Sequence, residues 1–219
     1  MVDSFTLTVF RHGLTLENER KQYIGWTDSA LSEKGRIQTA EVAQTLTSFT
    51  PTNILTSDLR RCTETATILF PGQPIQKSKD FREMHFGAFE QKSYAGLKDK
   101  KTYQGWIADP FHTRPEGGES FQAFATRVWR GMEKVTQEDA LAKDLTMVVH
   151  GGVIRVLLSR LVTSDNHFFD WDIPTSRGFQ LTWKTQESFR RLERCTSLSV
   201  VPSMAKETGS TNDTKQTST

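Results

Sequence analysis

Three short stretches of this 219-residue chain hold residue types that could handle a phosphate group. Arg11-His12-Gly13 follows one apolar run, and His150-Gly151-Gly152 follows another. Ser57-Asp58-Leu59-Arg60-Arg61 joins a third short run to a segment with helical spacing. A neutral imidazole nitrogen is a good nucleophile toward phosphorus, and the product is labile enough to hydrolyse. The first N–H groups of a helix lack partners and sit at the positive end of its dipole, so a helix start attracts anions. An arginine in the first turn adds a planar fork that fits phosphate oxygens. Two histidines with two or three arginines on such edges would form a small, strongly cationic phosphate pocket.

Those residues need a frame that brings them to one edge. Residues 5–10 are β-branched and aromatic and predict a strand. Ser32 can cap a helix running to about residue 49, with Ile37, Ala40, Ala43 and Leu46 on one face. Residues 54–56 predict a short strand. The helix after it carries Leu59, Cys62, Ala66 and Leu69 at helical spacing. A helix from Ser120 to about 138 shows Phe121, Phe124, Val128, Met132 and Val135 as its buried stripe. Residues 145–149 predict a strand and 153–161 a helix; 178–183 and 189–198 offer two more strands. This alternation implies an α/β fold, a three-layer sandwich with a mostly parallel central sheet flanked by helices. In such sheets ligands bind at the carboxyl ends of the strands, where both histidines fall.

Residues 81–118 break the pattern with glycines, prolines and scattered aromatics, and predict an inserted cap. One domain over 1–201 is expected, followed by a disordered polar tail over 202–219 that is rich in Ser and Thr. Composition narrows the function classes. With 28 basic and 26 acidic residues the formal net charge is +2, and no Lys/Arg block argues for nucleic acid or a membrane surface. No apolar run approaches the roughly 18 residues of a membrane helix. The N-terminus lacks the pattern of a secretory signal. Two cysteines, Cys62 and Cys195, form no zinc spacing and suit a reducing, cytoplasmic compartment.

The order of motifs is more specific than any one of them. Residues 11–18, read as Arg-His-Gly-Leu-Thr-Leu-Glu-Asn, resemble the Arg-His-Gly-x-Thr-x-x-Asn signature of the histidine phosphatase superfamily, also called phosphoglycerate mutase-like. Tyr23-Ile24-Gly25-Trp26-Thr27-Asp28 and Leu31-Ser32-Glu33-Lys34-Gly35 are similar to its next block. Residues 57–65 resemble its Ser-x-Leu-x-Arg-Ala-x-x-Thr block, and Phe81-Arg82-Glu83-Met84-His85-Phe86-Gly87 its Leu-Arg-Glu-x-x-Phe-Gly block. Gly117-Gly118-Glu119-Ser120 and Val149-His150-Gly151-Gly152 complete the set.

By that resemblance His12 is the nucleophile that becomes a phosphohistidine. Arg11 and Arg61 are the phosphate-binding arginines, Glu83 the proton donor and His150 the second histidine at the phosphoryl group. Asn18, Ile24 and Gly25 match substrate-lining positions, and Gly151 joins them. The physics suits these roles. The second ring nitrogen of His12 must be held so that the attacking one is free, and the backbone carbonyl of Gly13 or of a neighbour is a natural holder. A leaving alkoxide needs a proton, which a carboxylic acid can give. Cationic side chains can stabilise the phosphoryl charge, so no metal and no cofactor is expected. Leu14, Cys62 and Val149 depart from common family residues, but none is a reacting group.

The stretch after Glu83, and Tyr103-Gln104-Gly105-Trp106 onward, resemble the alpha-ribazole and broad-specificity phosphatase branch. A monoester phosphatase acting on a small phosphorylated metabolite, with alpha-ribazole phosphate one example, is therefore favoured. A phosphoglycerate mutase-like phosphotransferase and a low-activity phosphate-binding regulator are the alternatives. Lys92, Lys98, Lys100, Lys101 and Arg114 read as a solvated face rather than a second phosphate site. Most cap aromatics read as packing, and Trp26 as the better pocket candidate. A small-molecule phosphomonoester is the expected partner, with no nucleic acid and no membrane; a homodimer is left open.

Overall fold

A computed structural model describes residues 4–138, 141 and 143–202. The polar tail expected beyond Pro202 lies outside the described residues. β-Branched and aromatic residues build β1 (Phe5–Arg11), and β-branched and other apolar residues build β2 (Ile54–Ser57) and β4 (Asp144–Val149). With β3 (Gln76–Ser78), β5 (Gly178–Trp183) and β6 (Ser197–Val201) they form one sheet in the order β3-β2-β4-β1-β5-β6. The four strands from β3 to β1 run parallel; β5 is antiparallel to β1, and β6 to β5.

The helices are α1 (Leu16–Glu19), α2 (Glu33–Thr45), α3 (Arg60–Leu69), α4 (Tyr94–Leu97), α5 (Lys101–Ala108), α6 (Phe121–Thr136), α7 (Gly151–Leu161) and α8 (Gln186–Arg190). Strand residues alternate between two cores, as a period of two requires. Phe5, Leu7 and Val9 of β1, with Leu145, Met147 and Val149 of β4, pack on α6, α7 and α8 through Phe124, Val128, Met132, Leu157 and Phe189. Phe10 and Val148 point the other way, onto Cys62, Ala66 and Leu69 of α3 and Leu46 beyond α2. Two apolar faces give the three layers expected. The inserted segment has a small core of its own, Phe89, Leu97 and Tyr103, against which Tyr23, Phe86 and Trp106 pack.

Two local expectations are corrected. Residues 189–198 are not a strand. Thr185 caps α8 by accepting from the Ser188 N–H, Phe189 stacks on Phe5 at 3.9 Å between ring centres, and β6 starts only at Ser197. Burial of one ring beneath the start of β1 outweighs the weak alternation of that stretch. In α2, Ile37 is 56% exposed and Ala40 is exposed too; the buried residues are Gly35 and Thr39. The helix meets the sheet edge over small and hydroxyl groups because its first turn must approach the 12–15 loop closely. Ser32 donates its backbone N–H to the Leu14 carbonyl at 2.9 Å, and a Cβ on Gly35 would overlap that same carbonyl.

Gly35→Ala should therefore cost about 1–3 kcal/mol in urea unfolding, the usual range for overpacking. Gly105→Ala, where an added methyl meets open space within α5, should be neutral or stabilising by up to about 1 kcal/mol. Equal effects at the two sites would contradict the close approach.

Candidate active site

β1 and β4 are adjacent and parallel, so their carboxyl ends bring Arg11, His12 and His150 to one edge. His12 extends the ladder by donating its backbone N–H to the Val149 carbonyl at 2.9 Å. The two imidazole rings then lie 5.2 Å apart at 64°. Nδ1 of His12 is 2.7 Å from the Gly13 carbonyl oxygen. A carbonyl can only accept, so Nδ1 carries the proton and Nε2 keeps its lone pair. Gly13 in turn donates its N–H to Thr65 Oγ1 at 2.8 Å, and that hydroxyl donates to the Arg61 carbonyl at 2.7 Å. α3 thus backs the loop that holds the imidazole.

Arg61 is fully buried at the start of α3. Its Nη1 donates to the Thr27 carbonyl at 2.8 Å and its Nη2 to the Gly25 carbonyl at 2.7 Å. Arg11 Nη1 donates to the Ile173 carbonyl at 2.7 Å. The Nε atoms of both are buried without a hydrogen-bond partner among the described residues. Burial first, then the charges of Arg61 and Arg11, hold His12 well below the ordinary imidazole range. His150 is depressed well below it as well, by burial and then by Arg61. Both rings are therefore neutral at pH 7, while the guanidiniums keep their charge. The edge is cationic through arginine alone.

His150 Nε2 is 2.9 Å from Ser57 Oγ and 3.4 Å from Cys62 Sγ. Burial pushes the Cys62 thiol up to about 12, so it stays a thiol. Glu83 faces the cradle from the cap side. One carboxylate oxygen accepts the Gly152 N–H and the other the Met84 N–H, both at 2.9 Å. A side chain on Gly152 would push that carboxylate aside, so the second glycine after His150 leaves Glu83 its place. Glu83, Gly152 and Arg155 also border a cavity of about 260 Å³ whose other walls are mostly aromatic, including Tyr23, Phe86, Trp106 and Phe168.

An imidazole with a free nitrogen, a cationic cradle and a facing carboxyl are the parts of a phosphoryl-transfer site. The sequence model of the histidine phosphatase superfamily (branch 1) matches residues 7–192. The chain belongs to that superfamily. Among curated relatives, the adenosylcobalamin/alpha-ribazole phosphatase of Salmonella typhimurium is 34% identical over 164 residues, covering 72% of this chain and 79% of the relative. The enzyme of the same name from Salmonella typhi is 30% identical and covers 89% and 97%. The crystal structure of the alpha-ribazole phosphatase from Shigella flexneri superposes with a TM-score of 0.76 at 25% identity, covering 83% of this chain and 93% of that one.

In this histidine phosphatase the other sequence-selected residues fall close by with differing contacts. Asn18 closes a capping box on α1: its N–H donates to Thr15 Oγ1 and its Oδ1 accepts the Thr15 N–H. Ile24 is buried, and Gly25 meets Arg61 through its carbonyl. Gly151 opens α7 against Arg11 and Arg155. Trp26 does not line the cavity; its indole Nε1 donates to the Glu83 carbonyl at 3.0 Å. Lys92, Lys98, Lys100, Lys101 and Arg114 are all exposed. Among the described residues no group of three or more His, Cys, Asp and Glu side chains could hold a metal, and no helix is long and apolar enough to cross a membrane.

Three residues of the site were not singled out from sequence. Arg155 adds a third guanidinium, with Nη2 on the Trp171 carbonyl and a buried, unpartnered Nε. Its one available signal was its place one turn beyond Gly151. Glu90 accepts the N–H groups of Gly25, Trp26, Thr27 and Phe86, holding the loop that Arg61 grips. Ser57 holds His150. The last two lie inside recognised motifs, where residue type assigns Glu90 no task and offers Ser57 or Asp58 only as a helix cap, whereas the N-cap of α3 is Leu59.

The depressed histidines set a pH dependence. Below the ordinary value of 6.5 the unfolded chain takes up protons that folded His12 and His150 refuse, so their contribution is whole above that pH and is lost as pH falls below it. Urea unfolding between pH 7 and 5 should show a loss of up to about 1.4 kcal/mol per pH unit for each histidine. In a His12→Gln, His150→Gln double variant most of that slope should disappear; an unchanged slope would assign it to other groups.

Proposed function

We propose that this phosphatase hydrolyses a small phosphomonoester through a phosphohistidine on His12, and that the ester's organic half carries an aromatic ring system, as in alpha-ribazole phosphate. The observation that carries the reading is the fixed tautomer of His12: Nδ1–H is committed to the Gly13 carbonyl, leaving the Nε2 lone pair among Arg11, Arg61 and His150. Nε2 attacks phosphorus while the bond from phosphorus to the leaving oxygen breaks. Glu83 gives that oxygen its proton, so an alcohol departs. Water then attacks the phosphohistidine, its proton passes to Glu83, and phosphate and free imidazole result. The unpartnered Nε–H groups of Arg11 and Arg61 are donors for the phosphoryl oxygens, already desolvated and so strong where charge develops.

The aromatic cavity supports the substrate class. It begins at Glu83, where a leaving group would emerge, and its walls suit stacking on a flat ring. The names of the alpha-ribazole phosphatases among the relatives agree, while other relatives are named for phosphoglycerates. The lysines that a second phosphate site would recruit stand on the solvent side.

Phosphate release should be measured on alpha-ribazole phosphate, phosphoglycerates, phosphoserine and an aryl phosphate, with EDTA present and phosphoglycerate isomerisation followed in parallel. Wild type should turn over alpha-ribazole phosphate in EDTA, and His12→Ala should lose turnover entirely. Phe168→Ala should raise KM for alpha-ribazole phosphate about tenfold, the worth of roughly 1.4 kcal/mol of lost stacking, and leave phosphoserine nearly unaffected. Residual hydrolysis by His12→Ala would remove it as nucleophile. Isomerisation without release would make the protein a phosphotransferase.

A further inference from the structure

Glu83 lies on a segment that no helix or strand stiffens. Residues 82–86 run between two 3-10 turns, Lys79–Phe81 and Gly87–Phe89, outside the sheet. A group that transfers a proton must nevertheless stay within a fraction of an ångström of its position. More of this backbone's polar groups are bonded to side chains than to other backbone, and half of those side-chain bonds come from one pair outside the segment.

Arg127, in the second turn of α6, donates Nη1 to the carbonyls of Asp80 at 3.0 Å and Arg82 at 2.9 Å. Its Nη2 donates to the carbonyl of Glu83 itself at 3.2 Å. Glu119 receives the rest of the fork: Nε on Oε1 at 2.9 Å and Nη2 on Oε2 at 2.7 Å. Glu119 also reaches past the acid, accepting the His85 N–H on Oε2 at 3.0 Å and donating its own backbone N–H to the His85 carbonyl at 2.9 Å. The pair thus grips the chain on both sides of Glu83. It is largely buried, with 13% and 17% of the two side chains exposed. Arg127 is not in the wall of the cavity that Glu83 borders. Trp26 adds one donor to the Glu83 carbonyl and lies under the guanidiniums of Arg82 and Arg127, 5.1 and 5.8 Å from its ring centre.

We infer that the Arg127–Glu119 pair is the positioning device for Glu83, setting its reach to the leaving oxygen without touching substrate. The inference rests on the reading of Glu83 as proton donor. A bidentate guanidinium–carboxylate pair has one geometry, which a lysine cannot copy. Loosening it lets the carboxyl drift while His12, Arg11 and Arg61, held by other elements, stay in place. The loss then falls on the step that needs a proton.

The test is the dependence of kcat/KM on leaving-group pKa for a series from nitrophenyl to alkyl phosphates, in wild type, Arg127→Met, Arg127→Lys, Glu119→Gln and Glu83→Gln. Glu83→Gln should steepen the dependence. Arg127→Met and Glu119→Gln should steepen it too, losing about ten- to a hundredfold on alkyl phosphates, as expected when a catalytic group is displaced by up to about an ångström, but only a few-fold on nitrophenyl phosphate. Arg127→Lys should fall between wild type and Arg127→Met. In the Glu83→Gln background Arg127→Met should add no further steepening.

Parallel losses across the series, or full activity on alkyl phosphates, would overturn the inference while a steepened Glu83→Gln leaves the acid role standing. A flat Glu83→Gln response would instead remove the acid role, and the positioning role with it. If Arg127→Met does not fold, the near-isosteric Glu119→Gln decides the same question.

Discussion

The site depends on keeping guanidinium charge at a largely buried edge without a salt bridge to any carboxylate among the described residues. Arg11, Arg61 and Arg155 stand near one another at the carboxyl edge, and none is in an ion pair among the described residues. Burying an unpaired charge costs several kcal/mol even after relaxation. Here the compensation comes from backbone carbonyls: Gly25 and Thr27 for Arg61, Ile173 for Arg11, Trp171 for Arg155. The loops at 24–28 and 171–176 take their course from that demand. Glu90 then has to supply acceptors for the amides of the first loop, whose carbonyls are turned toward Arg61.

The same charges set the chemistry of the histidines. Two imidazoles beside Arg11 and Arg61 and away from water are held neutral, which the proposed nucleophile requires. A carboxylate within the cradle would ease the folding cost but would repel the phosphoryl group. The carboxyl is instead on the cap side, tied to amide N–H groups rather than to an arginine side chain. The site thus has two structural parts: a cradle built on strand ends and helix starts, and the Glu83 carboxyl carried on irregular chain whose backbone is bonded by side chains. The second part borders the aromatic cavity, so the half that varies with the leaving group is the half least determined by the sheet.

Much of the first part was legible because the sheet-edge rule needs only local information. The β-branched and aromatic run at 5–10 and the short apolar run at 145–149 mark two strands, and the residues that follow them, His12 and His150, fall on the same edge once the strands are parallel neighbours. Helical spacing in α3 places Leu59, Cys62, Ala66 and Leu69 correctly, because an apolar stripe has one way to meet a sheet. The α2 stripe misled because Gly35 and Thr39 are buried for closeness and hydrogen bonding, which hydropathy does not register. Phe189 misled because a ring stacked on Phe5 from a five-residue helix leaves no periodic trace.

The chain by itself determined β1, β2, β4 and β5 and the helices α2, α3, α6 and α7, the edge on which the histidines and arginines gather, and membership in the superfamily through the spacing of its motifs. These follow from local periodicity and from residue type, which a linear string carries in full. The tertiary structure alone decided which carbonyl holds each guanidinium and which nitrogen of His12 keeps its lone pair. It also decided that Arg155 joins the cradle and that Arg127, 44 positions away in sequence, grips Glu83. Those are contacts between distant segments, and their strength comes from burial and angle, neither of which exists until the layers have closed.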